Sequence, residues 1–304
     1  MNNELRAPTL DDIPALAAFF RELRDRYGAQ ALTESQLRDD LTRPGERIEE
    51  HYRIAAEDGR VSGYVGLWSP EAQPGRVFVL VRALPRERDA YAPLLDWAED
   101  RARERSRGGP GRLQASADEG DEALQQELHS RGYSLARHFF EMEIDLAAEP
   151  PPPDWPAGLG VRTFRPEDAR AVYDADLEAF EDHWDPLDVT FDEWRSYFLD
   201  ASDFDPELWF LVDDGDELAG FSLCSKRAGE TEGHLHVLGV RRPWRKRGLG
   251  SALLLHSFRE LRKRGCETTR LNVDAENLTG AVRLYERAGM HVAVRSDRYW
   301  KELT

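Results

Sequence analysis

Residues 234–258, H-L-H-V-L-G-V-R-R-P-W-R-K-R-G-L-G-S-A-L-L-L-H-S-F, constrain the fold more than any other part of this chain. An apolar strand over 235–240 runs into a short basic turn with two glycines, and a helix follows in which Leu254, Phe258 and Leu261 recur at i, i+4 and i+7. A strand feeding a helix through a glycine turn belongs to an α/β architecture, and this turn has the makings of an anion site. Gly248 and Gly250 let successive backbone N–H groups converge, and the helix N-terminus adds the positive end of its dipole. Arg245, Lys246 and Arg247 surround the mouth, with Leu249 and Ser251 completing the cradle. A pyrophosphate fits that description, and so does a solvated basic turn that only starts a helix. The glycine spacing excludes the two common nucleotide motifs, since a Walker loop separates its glycines by four residues and a Rossmann fingerprint needs a third glycine and a later acid.

The turn resembles the R-x-x-G-x-G/A acyl-CoA loop of the GNAT N-acetyltransferase superfamily, with Arg245, Gly248 and Gly250 in the three motif positions. A later stretch, N-L-T-G-A-V-R-L-Y-E-R-A-G-M over 277–290, is similar to a second signature of that family. The resemblance implies an α/β (α+β) fold, a mixed and mainly antiparallel sheet flanked by helices. It implies acetyl-CoA as cosubstrate, no metal, and transfer of the acetyl group to a primary amine. It also implies roles. Backbone groups of Leu238, Gly239 and Val240 would line the pantetheine arm, and Arg245, Lys246, Arg247, Gly248, Leu249, Gly250 and Ser251 would hold the pyrophosphate. Asn277 would touch the cofactor, and the Tyr285 phenol would protonate the CoA sulfur. Read without the family, Asn277 is a helix cap and Tyr285 a core aromatic on one helical face with Leu278 and Val282.

A general base is less sharply marked. Period-two alternation puts His234, His236, Leu238 and Val240 on one strand face. An imidazole with a pKa of about 6.5 can take a proton from an amine. In the tandem-domain subfamily that includes mycothiol synthase, a Glu stands where this chain has His234. Glu232 is the second candidate base, and His236 a substrate-side neighbour. Phe180, Glu181, His183, Trp184 and Asp185 fall where the family builds its acceptor wall. Acids beside aromatics suit an ammonium group, and equally make a solvated acidic loop.

The order β-α-α-β-β-β-α-β-α-β is read over the first 145 residues and again after the run A-A-E-P-P-P-P-D-W-P, so the chain reads as two tandem copies of one fold. The expected division is 1–146, a proline-rich linker at 147–157 acting as a semi-rigid spacer, and 158–304. The first copy has L-P-R-E-R-D-A at 84–90 in place of the anion turn, with no glycine and two acids. It is expected to be a degenerate structural partner that holds no acyl-CoA.

Composition narrows the partners. A net charge of −17 argues against non-specific nucleic-acid binding. The charge is also segregated: 165–217 holds 19 acids against 3 bases, whereas 241–270 holds 10 bases against 2 acids. A phosphate-bearing cosubstrate belongs on the basic stretch and a small cationic amine on the acidic one. No apolar run reaches a membrane span, and M-N-N-E-L-R lacks the apolar core of a leader, so a cytoplasmic protein, monomer or homodimer, is expected. Cys224 and Cys266 form neither a disulfide framework nor a metal pattern. Two functional readings stay open. One is an acetyl-CoA-dependent N-acetyltransferase with one working half, of which mycothiol synthesis is a narrower case. The other is a non-catalytic acyl-CoA sensor or scaffold.

Overall fold

A computed structural model describes residues 4–28, 31–106 and 111–303; residues 1–3, used above for the leader argument, lie outside it. The first repeat contains β1 (Glu4–Arg6), α1 (Ile13–Tyr27), α2 (Glu34–Thr42), α3 (Ile48–His51), β2 (Tyr52–Glu57), β3 (Arg60–Trp68), β4 (Arg76–Ala83), α4 (Tyr91–Ser106), β5 (Gly111–Asp118), α5 (Glu122–Ser130) and β6 (Ser134–Asp145). The second contains β7 (Gly160–Thr163), α6 (Ala169–Phe180), α7 (Phe191–Phe198), β8 (Trp209–Asp214), β9 (Glu217–Lys226), β10 (Glu232–Val240), α8 (Leu249–Lys263), β11 (Thr268–Asp274), α9 (Ala281–Arg287) and β12 (His291–Leu303).

These elements form two compact units. The first takes the chain up to Phe139 together with Asp188–Thr190 and the terminal segment from Val294; the second takes Phe140–Leu187 and Phe191–Ala293. Within the first unit, β1 to β4 form an antiparallel meander and β4 pairs in parallel with β5. The terminal strand then adds antiparallel to β5, Ser296 opposite Asp118 and Leu303 opposite Gly111. Within the second unit, β7 to β10 repeat the meander, β10 pairs in parallel with β11, and the distal part of β6 lies beside β11. The last strand of each sheet therefore comes from a segment distant in sequence. Residues 294–303, expected in the second domain, belong to the first sheet, because strand alternation fixes which face a side chain takes but not which neighbour the strand finds.

Each sheet is covered on both faces. In the first unit, Ile13, Leu16 and Phe20 of α1 pack on Ile54 and Tyr64, while Leu94, Leu95 and Ala98 of α4 pack on Val65, Val79 and Leu113. In the second, α6 and α7 bring Val172 and Trp194 against Trp209 and Phe221, and α8 brings Leu253 and Phe258 against Phe210, Leu235 and Leu271. A fully buried side chain such as Phe258 contributes about 1.5–3 kcal/mol.

Three local readings change. The expected helix over 277–288 begins only at Ala281, after a left-handed Gly280 at φ 78°. The two expected terminal strands are one continuous β12. The proline stretch is held in the second unit: Arg259 donates to the Pro150 carbonyl at 2.6 Å and Arg262 to the Leu146 carbonyl at 2.9 Å, so it is a strap along α8 rather than a free spacer.

Candidate functional site

The site in the second unit starts from an irregularity in β10. Leu235 lies opposite Cys224 and Val237 opposite Leu223, so His236 is an extra residue, a β-bulge. A bulge shifts the side-chain phase by one. Leu235 points to the α8 core; beyond the bulge Val237 faces the α6–α7 core, while Leu238 and Val240 return to the α8 side. The single shared face expected for His234, His236, Leu238 and Val240 is therefore broken at His236. The two imidazoles lie on the other side of the sheet, where the His236 ring meets Phe198 of α7. The parallel register with β11 covers only Glu232–His234, leaving Leu238, Gly239 and Val240 on the stretch where β10 and β11 have parted. Gly239 is required there: a Cβ would sit 2.4 Å from the buried Phe221 ring.

The anion turn is built as its sequence demands. Lys246 and Gly248 are left-handed at φ 62° and 87°, and Gly248 caps the 15-residue α8. The first turn-closing bond of the helix runs from Ala252 N–H to the Gly248 carbonyl. Arg245 and Lys246 form a turn that ends at Arg247, and among the described residues no backbone acceptor meets the amides of the next four, Gly248, Leu249, Gly250 and Ser251. Successive free amides at a helix N-terminus, beside the exposed side chains of Lys246 and Arg247, form an anion nest. The non-glycine left-handed residue stores strain at this point. A Cβ on Gly250 would lie 3.5 Å from Leu284 of α9 and 3.6 Å from Val240, so strand end, nest and α9 meet within van der Waals reach.

Arg245 is placed differently from expectation. Its Nε donates to the Val240 carbonyl at 3.0 Å and its guanidinium pairs with Asp182 at 3.0 Å, so it ties the turn to the strand and to the end of α6. Arg241 and Arg242 do the same through Glu178 at 2.6 Å and Glu181 at 3.1 Å. Three acids of the acidic stretch, Glu178, Glu181 and Asp182, are thus neutralised by the basic turn. Glu181 is engaged there; Phe180 is exposed at the tip, and its ring neighbours His183, which in turn neighbours Trp184. Asp185 N–H donates to the His183 ring, folding the segment on itself.

Among the acid and base candidates, Tyr285 is buried in the α8 core, where burial pushes its phenol up to about 12. It therefore carries its proton throughout the neutral range. Leu278, expected on the same face, is 87% exposed and outside the helix. Asn277 spends its side-chain oxygen on the amides of Thr279 and Ala281, at 2.8 and 3.4 Å, an Asx turn that leads into α9. Glu232 faces the Arg270 guanidinium at 3.3 Å, which Glu143 also holds at 2.6 Å.

His234 and His236 are in ring contact, their centroids 4.5 Å apart and their planes tilted by 58°. Burial, then the neighbouring His236 and Arg227, hold His234 well below the ordinary imidazole value; burial and Arg227 hold His236 at about 4. Both rings are neutral near pH 7. Sequence reasoning missed the groups around them: Ser225 Oγ lies 2.9 Å from His236 Nε2 and donates to Asp203 at 3.0 Å, and Asp203 pairs with Arg227 at 2.8 Å. It also missed Asp176, whose carboxyl burial pushes to about 6 although Trp194 donates to it at 2.9 Å. Ser225 within a strand, Asp176 within a helix, and Asp203 and Arg227 in the connections carried no spacing signal that would have marked them.

The corresponding place in the first unit differs throughout. Strands β4 and β5 stop pairing after Val79 and Ala115, and Arg82 crosses the opening to the Ser116 carbonyl at 2.8 Å and to Asp118 at 3.3 Å. The loop after β4 contains no left-handed residue, and its Leu84 and Glu87 amides are bonded to Ser62 and Leu84. A cleft of about 1150 Å³ does occur in this unit, and two of its arginines are matched by carboxylates, Arg47 by Glu50 and Arg101 by Glu50 and Glu104. Among the described residues no cluster of His, Cys, Asp or Glu is placed to hold a metal, and no helix is long and apolar enough to cross a membrane.

Comparison with known proteins follows the same lines. Residues 169–290 match the model of the acetyltransferase (GNAT) family. A mycothiol acetyltransferase from Actinosynnema mirum is 33% identical over 81% of this chain and 82% of its own length. One from Geodermatophilus obscurus is 31% identical over 91% and 90%. The mycothiol acetyltransferase of Streptomyces bingchenggensis is 34% identical, but the match spans 59% of each chain. A GCN5-related N-acetyltransferase from Sphaerobacter thermophilus superimposes with a TM-score of 0.81 at 32% identity, covering 98% of this chain and 95% of that one. A tandem GNAT protein of the clavulanic acid pathway shares the fold, with a TM-score of 0.75 at 17% identity and 98% coverage of both chains.

Proposed function

Because the chain belongs to the acetyltransferase (GNAT) family, we propose that it transfers the acetyl group of acetyl-CoA to the primary amine of a small cationic acceptor, using its second unit alone. The observation that carries this reading is the run of unbonded amides from Gly248 to Ser251 at the head of α8. They lie beside two exposed cations, Lys246 and Arg247, and suit a pyrophosphate. Leu238, Gly239 and Val240, where β10 has left β11, suit the amide groups of the pantetheine arm, which leads toward α9. Tyr285 then supplies the proton that the departing thiolate needs as the C–S bond breaks. A neutral imidazole of the His234–His236 pair takes the proton released as the C–N bond forms, the two transfers together worth several orders of magnitude at about 10²–10⁴ each. Glu232, held by Arg270, is the poorer base.

The first unit serves as a structural partner in this reading, supported by the Arg82–Asp118 pair across its strand opening and by a loop without a nest. The relatives' names favour a narrower second reading, acetylation of an amine in mycothiol formation. Titration calorimetry with acetyl-CoA and thiol release over an amine panel test both. We expect one equivalent bound per chain and release with at least one amine. Two equivalents would refute the division of labour, and binding with no release from any amine, mycothiol precursors included, would leave a sensor.

A further inference from the structure

The acceptor side of β10 contains a hydrogen-bonded chain that assigns a specific protonation form to one imidazole. Ser225 has a single proton. Asp203, paired with Arg227 at 2.8 Å, is an acceptor, and Ser225 donates to it at 3.0 Å. The Ser225 oxygen is then left only with lone pairs toward His236 Nε2, 2.9 Å away, so that nitrogen must carry the hydrogen. In a neutral ring this makes Nδ1 the bare acceptor. His234 has no such anchor: its Nδ1 is buried and meets no hydrogen-bond partner among the described residues.

We propose that His236 is the general base of the transfer, acting through Nδ1, and that Ser225 and Asp203 are positioning residues that fix its Nε2–H tautomer and ring orientation. This rests on the acetyl-transfer reading above. As the amine nitrogen attacks the thioester carbonyl, the C–N bond forms and the nitrogen becomes cationic; its proton passes to His236 Nδ1, giving an imidazolium that donates from both nitrogens. Collapse breaks the C–S bond, and the thiolate takes the Tyr285 proton. Amine and thioester become amide and thiol, and solvent exchange resets both side chains. The bulge places His236 for this task, since it turns the ring to the α6–α7 side two residues before Leu238. The ring edge contact with Phe198 limits its rotation. An imidazole weakly basic in the free protein suffices, because attack itself acidifies the nitrogen.

The test is long-range ¹⁵N–¹H correlation of histidine-labelled protein, joined to steady-state kinetics. His236 is expected in the Nε2–H form in the wild type and as a tautomer mixture in Ser225→Ala. The same substitution should lower kcat about 10–100-fold with KM for acetyl-CoA unchanged, and Ser225→Thr, which keeps the hydroxyl, should restore both readouts. His236→Ala should cost about 10²–10⁴ in kcat. An Nδ1–H form in the wild type, or unchanged kcat in His236→Ala, would overturn the assignment while acetyl transfer stood. Wild-type protein that transfers to no amine would overturn the functional reading and the base with it, and the tautomer spectrum would still decide whether Ser225 holds the ring as drawn.

Discussion

The two glycines of the anion turn should respond in opposite ways to the same added methyl. Gly248 sits at φ 87°, and no atom lies within 4 Å of a Cβ built on it, so the obstacle to alanine there is conformational. Holding an L-residue in the left-handed region costs about 1–2 kcal/mol. If Gly248→Ala keeps the observed backbone, that amount is lost from stability. If the turn relaxes to the right-handed form, its amides no longer converge, and the same cost reappears on binding as a rise in Kd of about 5–30-fold. Gly250 has ordinary helical backbone, and its Cβ would sit in normal contact at 3.5 and 3.6 Å from Leu284 and Val240. Gly250→Ala should therefore raise helix stability by about 0.5–1 kcal/mol, or about 1–4 °C in Tm for a unit of this size. It should leave Kd for acetyl-CoA within a factor of about three, a margin of about 0.6 kcal/mol. Larger side chains at 250 would collide with both neighbours, which gives a steric reason for a motif that accepts Gly or Ala there. Calorimetric Kd for acetyl-CoA and thermal melts of the two variants decide the matter. Equal losses of affinity at both positions, or none at Gly248→Ala with an unchanged melt, would refute the claim that a left-handed nest binds the phosphates.

Other substitutions separate roles that the sequence left merged. Tyr285→Phe should lower kcat by about 10²-fold or more with KM for acetyl-CoA little changed, and because burial holds the wild-type phenol near 12 the basic limb of the rate profile should not appear below about pH 10; unchanged turnover would make Tyr285 a core residue only. Arg245→Ala should weaken acetyl-CoA binding at every salt concentration, since its loss releases the turn from Val240 and Asp182. Arg247→Ala, an exposed cation, should weaken it mainly at low salt, where screening is weak; identical salt slopes would show that Arg245 acts as a charge after all. Asp176→Asn should raise Tm at about pH 8: the folded-state pKa near 6 lies above the ordinary 3.8, so ionisation opposes folding at high pH. That advantage should shrink as pH falls through 6 and vanish near 4, and a constant difference across pH would show that the burial of this carboxyl is not what matters.

What the sequence made legible follows from the kind of physics involved. The nest was readable because glycine spacing, a strand before it and an amphipathic helix after it are all local. The different turn of the first copy was readable for the same reason, as a stretch at 84–90 without glycine, and it holds no left-handed residue. Pairing was not. The terminal strand alternates equally well beside any neighbour, and nothing in residues 294–303 names β5 as the partner. The charge segregation was legible as a basic and an acidic stretch, but the pairing of Glu178, Glu181 and Asp182 with Arg241, Arg242 and Arg245 was not, because it depends on how the end of α6 meets the turn. The bulge at His236 shows the limit most sharply. Strict alternation assigned both imidazoles to the face of Leu238 and Val240, and one extra residue reversed that assignment for everything before it. A bulge depends on how β9 and β10 pair, and no pattern within β10 records it. The consequence is chemical: with the strand regular, His236 would share a face with Leu238, Val240 and α8, whereas the bulge gives it Ser225, Asp203 and Phe198. A deletion that removed one residue of β10 and restored regular pairing would therefore be expected to abolish turnover while leaving the nest intact, and with it the acetyl-CoA binding proposed for it.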